Sequence, residues 1–268
     1  MRISHQKVTA FRRKILAFYR QHGRSLPFRE TRDPYAITVA ELMLQQTQVE
    51  RVVDKYQRWL RRWPTWEALA HASRQELLEA WSGLGYNRRA IYLGQMACQI
   101  VERFGGKTPS SPAVLKTLPG IGDYTANAIA IFAFNSPCVT IDTNIRKVLV
   151  HEFGLDPNTP RSDLEELARR LLPPRRARDW HNALMDYARV ALRKDLDYIA
   201  PLTTQNRFEG SRRQIRGAIV RALTTAKRVS ISKIAAQTAR SVDDVREAAL
   251  TLQKDGLVVV TPKFIRLA

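Results

Sequence analysis

Two acidic residues and one pair of glycines stand out in this sequence as groups whose types and surroundings could do chemistry. Glu41 lies in the run Val39-Ala40-Glu41-Leu42-Met43-Leu44, and a carboxyl among apolar neighbours has a raised pKa and can act as an acid near neutral pH. Asp142 heads the helical run 142–153. There, helix N–H groups bonded to the carboxylate keep it ionised, and they also make it an N-cap worth roughly 1 kcal/mol. Between a short helix and a long one, Leu118-Pro119-Gly120-Ile121-Gly122 lets the backbone turn sharply and offers the N–H groups of a helix start to an anion, as a phosphate clamp would. Each group also has an ordinary reading: a solvated Glu on an amphipathic helix, a capping Asp, a tight helical connection.

The elements that must position these groups read as helices. Val8, Phe11, Ile15 and Phe18 mark one face over residues 6–21, and Leu26-Pro27-Phe28-Arg29 breaks the pattern. Asp33-Pro34 then starts an apolar-rich helix over 35–47 that carries Glu41. Further helices fit 49–62, 65–70, 73–80, 87–104, 112–117, 123–134, 142–153, 161–172 and 178–192, so the body is all-α. Residues 193–212, with Asp195, Asp197, Pro201, Thr203, Thr204, Gln205 and Asn206, lose the apolar period and read as a linker. Beyond them, helices start at Ile215-Ile219-Leu223, at 231–235 and at 242–245, and the β-rich end 256–267 turns at Pro262. Three helices and a hairpin suggest a winged-helix module, although a small helical bundle with a β tail would show a similar pattern.

Composition narrows the partner. Lys and Arg number 44 against 25 Asp and Glu, a net charge of +19, which calls for a polyanion, nucleic acid first and an anionic membrane surface second. The basic runs Arg12-Arg13-Lys14, Arg61-Arg62, Arg169-Arg170, Arg175-Arg176 and Arg212-Arg213 would supply phosphate contacts. No apolar run approaches the roughly 20 residues needed to span a bilayer, and the N-terminus does not lead into a signal-peptide core. No membrane partner and a cytoplasmic, DNA-accessible location are therefore expected. Cys98 and Cys138 are the two cysteines, too few for a four-thiolate zinc site, and no metal site is expected.

Residues 117–134, Thr-Leu-Pro-Gly-Ile-Gly-Asp-Tyr-Thr-Ala-Asn-Ala-Ile-Ala-Ile-Phe-Ala-Phe, resemble the hairpin of the helix-hairpin-helix DNA glycosylases. Ile141-Asp142-Thr143-Asn144-Ile145-Arg146-Lys147-Val148 is similar to the segment carrying that superfamily's catalytic Asp. Leu26-Pro27-Phe28-Arg29, Asp33-Pro34-Tyr35, Glu41-Leu42-Met43-Leu44-Gln45-Gln46-Thr47-Gln48-Val49, Gly83-Leu84-Gly85-Tyr86 and Arg88-Arg89-Ala90 resemble the MutY-type adenine mismatch glycosylases. The resemblance covers roughly residues 11–192. It implies an all-α, two-lobed helix-hairpin-helix body with a small C-terminal winged-helix-like module. The expected lobes are 1–28 with 136–200, and a six-helix lobe 29–135 holding the hairpin 112–134; a linker 201–212 and the module 213–268 follow.

For the site, the resemblance implies that Glu41 protonates a base extruded from the stack and helps position water, while Asp142 stabilises positive charge on the sugar. Tyr124 stands where bifunctional relatives resembling endonuclease III carry a Schiff-base lysine, which implies base removal without strong strand cleavage. Gln45, Gln46 and Gln48 would contact the base edge or fill the gap, Tyr86 would wedge into the stack, and Gly120, Gly122, Arg88 and Asn144 would face DNA. Asn87 stands where the family commonly has a second Tyr.

Two further departures concern larger parts. The family's cluster cysteines, expected after about Leu192, are missing, so no iron–sulfur cluster and no other cofactor is expected. The domain that reads 8-oxoguanine is not evident, and the winged-helix candidate takes its place. The leading expectation is a monomeric, monofunctional glycosylase of base excision repair that removes adenine opposite 8-oxoguanine or G from double-stranded DNA. A thymine, uracil or hypoxanthine mismatch glycosylase is the alternative, which Gln45 and Gln46 disfavour; a non-catalytic DNA-binding protein is the second.

Overall fold

The computed structural model describes residues 3–192, 195–196, 198–200 and 209–268. In chain order the helices are α1 (His5–His22), α2 (Pro27–Glu30), α3 (Pro34–Leu44), α4 (Val49–Arg62), α5 (Trp66–Ala70), α6 (Arg74–Trp81), α7 (Arg88–Phe104), α8 (Pro112–Leu115), α9 (Asp123–Phe134), α10 (Thr143–Phe153), α11 (Arg161–Leu171) and α12 (Ala177–Asp186). A π turn, Tyr187–Ala191, continues α12. Then come α13 (Arg212–Thr225), β1 (Arg228–Ser230), α14 (Ile231–Thr238), α15 (Val242–Lys254), β2 (Val258–Val260) and β3 (Phe264–Leu267). The expected all-α helix-hairpin-helix body with a winged-helix-like end is what is found. The linker residues Asp197, Pro201, Thr203, Thr204, Gln205 and Asn206 lie outside the described residues. Among the described residues no helix is long and apolar enough to cross a membrane.

Helix starts follow local chemistry. Ser4, Thr65, Ser73, Ser230 and Ser241 each accept a backbone N–H three residues on, and Ser73 with Glu76 forms a reciprocal capping box. One expectation changes: Leu26–Arg29 is not a simple break, because Pro27 occupies the first turn of α2, where its fixed φ favours a helix and its missing N–H costs nothing.

The chain forms two compact units, the first from Met1–Glu41 and Thr108–Thr204, the second from Leu42–Lys107 and Gln205–Ala268. In the first unit Val8, Phe11 and Ile15 of α1 bury against Val148, Leu149, Leu167, Leu171 and Trp180, with the Phe11 ring edge-on to Trp180 at 5.7 Å. This unit also encloses Asp186, which is fully buried and takes Arg24 Nε and Arg29 Nη1, each at 2.6 Å. That pairing ties α2 to the end of α12.

In the second unit Trp59 meets Trp63 and Trp81 at 4.7 and 5.5 Å. Its C-terminal module has the antiparallel sheet order β1-β3-β2. Strand β1 was not expected from sequence; three residues are too few to show alternation, and pairing with β3 supplies its order. The module is fastened to α6 by Arg74, which donates to the Gly256 carbonyl, and by Gln75, which donates to Thr224 O at 3.0 Å.

Candidate active site

In the first unit, α3 begins where Asp33 accepts the N–H groups of Tyr35 and Ala36 at 3.0 and 3.3 Å. Residues Tyr35 through Ala40 are all buried, so the helix delivers Glu41 from a sealed apolar stem. Glu41 keeps some accessible surface as a residue, yet its carboxyl is desolvated and its pKa is pushed up to about 7. Burial is the main cause and the charge of Asp142 adds to it, while Arg29 opposes both.

Asp142 caps α10, its Oδ1 accepting the Ile145 N–H at 2.7 Å and its Oδ2 the Asn144 Nδ2 at 3.2 Å. Burial raises its pKa and these bonds pull it down, with burial the larger effect. Tyr124, near the start of α9 and partly buried beside Ile37 and Ile131, has its hydroxyl pKa raised well above the usual value by burial and then by Glu41 and Asp142. Positions 41, 124 and 142, distant in the chain, thus share one electrostatic environment. Glu41, the more strongly raised, holds a proton near neutral pH; Asp142, served by N–H donors that favour its charged form, is the better anion.

The approach to Asp142 is braced by His181, a residue that sequence reasoning passed over. His181 is 2 % exposed; its Nδ1 donates to Ala177 O at 2.7 Å and its Nε2 accepts the Thr140 N–H at 3.3 Å. Burial pulls its pKa down to about 4, so it stays neutral. A buried histidine on an amphipathic helix gives no advance signal of this.

At the hairpin, Gly120 has φ +77° and needs glycine for its turn. Gly122 has extended backbone, and a Cβ there would meet nothing within 4 Å. Neither conformation nor packing requires glycine at 122, the N-cap of α9.

The second unit holds a different cluster. Gln46 and Tyr86 are exposed and adopt φ +53° and +47°, strained for residues with side chains. Both loops are stitched by Arg89, 6 % exposed. Its Nη1 donates to the carbonyls of Leu42, Met43 and Gln45 at 2.5, 3.1 and 2.7 Å. Its Nη2 donates to Gly85 O at 3.0 Å and Thr47 Oγ1 at 3.2 Å. The guanidinium lies over the Trp81 and Tyr86 rings at 5.1 and 5.5 Å. Burial draws its pKa down to about 10, so it remains a cation. Sequence reasoning singled out the neighbouring Arg88, which pairs with Asp255 at 3.5 Å and lies over Tyr92. The available signal was the Gly83-Leu84-Gly85 turn, whose carbonyls need donors. Gln45 is partly buried in the same loop, Gln48 is exposed at the start of α4, and Asn144 is exposed beside Asp142.

The residues present do not fit an iron–sulfur cluster, which takes four ligands. Cys98 is exposed on α7 in the second unit and Cys138 is partly buried in the first, and no cysteine follows Leu192. Where the resemblance places cluster ligands, Leu192, Leu196 and Ile199 are buried in the core, and Arg146 donates to Ala200 O at 3.0 Å.

With this geometry in view, the comparisons with known proteins define the class. The chain belongs to the HhH-GPD superfamily of base excision DNA repair proteins, whose pattern matches residues 39–174. Within it, the chain is 43 % identical over 192 residues to the adenine DNA glycosylase of Rattus norvegicus, covering 67 % of this chain and 37 % of that protein. It is 37 % identical over 190 residues to the thymine/uracil-DNA glycosylase of Pyrobaculum aerophilum, covering 68 % and 82 %. The chain thus spans little more than a third of the rat protein and most of the archaeal one. Among solved structures, a thermostable thymine-DNA glycosylase superposes with a TM-score of 0.63 at 29 % identity, covering 69 % of this chain and 87 % of that one. An endonuclease III–DNA covalent intermediate superposes at 0.61 and 18 % identity, covering 69 % and 86 %, a likeness of fold alone.

Proposed function

We propose that the chain is a monofunctional DNA glycosylase that hydrolyses the N-glycosidic bond of a mispaired adenine in duplex DNA. The observation that carries this reading is the unlike pair at the site: Glu41 with a pKa of about 7 beside Asp142 held by helix N–H donors. Once the base is extruded, the Glu41 carboxyl gives its proton to a purine ring nitrogen. The C1′–N bond breaks with its electron pair leaving on the base, and the Asp142 carboxylate faces the positive charge that grows on the sugar. Water adds at C1′ and returns a proton to Glu41. Tyr124 offers no amine, so no Schiff base forms and the sugar–phosphate strand stays intact. Gln45 and Gln46, held by the Arg89 node, would read the base edge or its gap, with Gln48, Arg88 and Asn144 at the DNA surface and Gly120 and Gly122 against phosphate. The enzyme would work as a monomer without a cluster, where the cell keeps its DNA in the cytoplasm.

The similarity to the archaeal thymine/uracil-DNA glycosylase, most of which this chain spans, supports a second reading, pyrimidine or hypoxanthine removal from G mispairs. A panel of duplexes with A, T, U or hypoxanthine opposite G or 8-oxoguanine separates the two. The expected result is product from adenine duplexes that is seen only after alkali. Product from T or U duplexes alone selects the second reading, and nicking by the pure protein without alkali refutes the monofunctional one.

A further inference from the structure

The C-terminal module divides its charge unevenly. In a helix-turn-helix arrangement the second helix of the pair enters the major groove and meets the bases with its N-terminal residues. Here that helix is α15, and its exposed first turns carry Asp243, Asp244 and Glu247 against one cation, Arg246, which lies 3.9 Å from Asp243. Ser241 and Asp244 are bonded to each other at 2.8 Å, and Glu247 pairs with Arg212 at 2.7 Å. A groove walled by two rows of phosphates repels such a helix.

The sheet has the opposite character. Arg228 of β1 and Arg266 of β3 are direct cross-strand partners, so their side chains rise on one face with like charges opposed, an arrangement that costs stability unless an anion sits between them. The Arg228 guanidinium lies 4.7 Å over the ring of Phe264, a residue 37 % exposed, and is thereby held on that face. Lys227 and Lys263, both exposed, precede the two strands. Residues 227–241 and 256–268 contain no Asp or Glu.

We infer that the β1–β3 face of this module, and not α15, grips the phosphate backbone of duplex DNA. The choice of occupant rests on the reading of the chain as a DNA glycosylase. The module is fastened to α6 within the unit that also presents Gln46 and Tyr86, so one compact body carries both the sheet face and those loops.

The test uses the full chain and an undamaged duplex of about 30 base pairs, with affinity followed by fluorescence anisotropy from about 50 to 200 mM salt. Replacing both arginines, Arg228→Gln with Arg266→Gln, is expected to weaken binding about tenfold at ~100 mM salt and to reduce the log–log salt slope by about two. The pair Asp243→Asn with Asp244→Asn on α15 is expected to change affinity less than about twofold. An unchanged affinity and slope in the arginine variant overturns the inference. So does a large tightening in the aspartate variant, which would place α15 in the groove. A poly-glutamate peptide serves as the protein-like probe: its loss by the arginine variant with duplex affinity intact also overturns the inference, in favour of an acidic protein partner. Because undamaged duplex is bound without chemistry, a chain that grips it through the sheet face yet releases no base sinks the proposed function and leaves this inference standing.

Discussion

The two units each bury charge, and they do it with opposite signs and opposite consequences. In the first, Glu41 and Asp142 are desolvated together, and that burial, with the charge of Asp142 adding to it, lifts Glu41 to a pKa of about 7. In the second, Arg89 is buried among carbonyl oxygens and two aromatic rings and, with a pKa drawn to about 10, never loses its proton near neutrality. A buried carboxyl whose two forms are balanced at working pH can trade a proton; a buried guanidinium that cannot titrate can only hold what surrounds it. The first arrangement suits reaction, the second suits position.

Three measurements would break or sharpen that contrast. The largest effect belongs to Asp142→Asn. Asn caps a helix as well as Asp does, so folding and duplex binding should persist while base release, read by alkali cleavage, falls by roughly 10³-fold or more, about 4 kcal/mol. A variant that lost stability but kept its rate would make Asp142 a cap and nothing else.

Arg89→Met comes next. It removes donors from the carbonyls of Leu42, Met43, Gln45 and Gly85 and should cost about 3 kcal/mol in urea unfolding. Arg89→Lys should recover only part of this, since an ammonium cannot span the same fork of acceptors. Equal stability in all three proteins would remove the positional account.

The smallest effect is the pH dependence of stability set by Glu41. Its folded pKa is raised above the ordinary 4.5, so its contribution to stability is fully present below about 4.5 and is lost as pH rises through about 7. Glu41→Gln escapes that loss. The variant should gain on the parent between those limits, by at most about 3 kcal/mol at pH 8 in thermal unfolding, while losing base release. A constant difference between pH 4 and 8 would mean that Glu41 ionises normally.

Much of the scaffold was legible because helices announce themselves locally. Residues 49–62 and 123–134 were read with the bounds that the structure gives, from apolar period and flanking breakers. The apolar stem of Glu41 was visible for the same reason, since its neighbours in sequence are its neighbours in space. Proximity of positions 41, 124 and 142 was a different matter. No spacing rule connects them, and only the likeness to a family suggested it. Arg89 escaped because most of its hydrogen-bond partners are backbone carbonyls, signalled only indirectly by the Gly83-Leu84-Gly85 turn, and His181 because one of its partners is an N–H donor 41 residues away. Chemistry that runs through side chains can be guessed from a sequence; chemistry that runs through the main chain needs the fold.

The interleaving of the two units has a consequence for how the protein is made. Helix α1 lays Val8, Phe11 and Ile15 into a core whose other wall includes α12, and α12 starts at Ala177, about 150 residues later in synthesis. At roughly 5–20 residues per second, the nascent chain carries that greasy stripe uncovered for about 8–30 seconds. The first unit cannot close before α12 is made, nor the second before its C-terminal module is, so the early segments of both wait in the care of whatever shields new chains from one another.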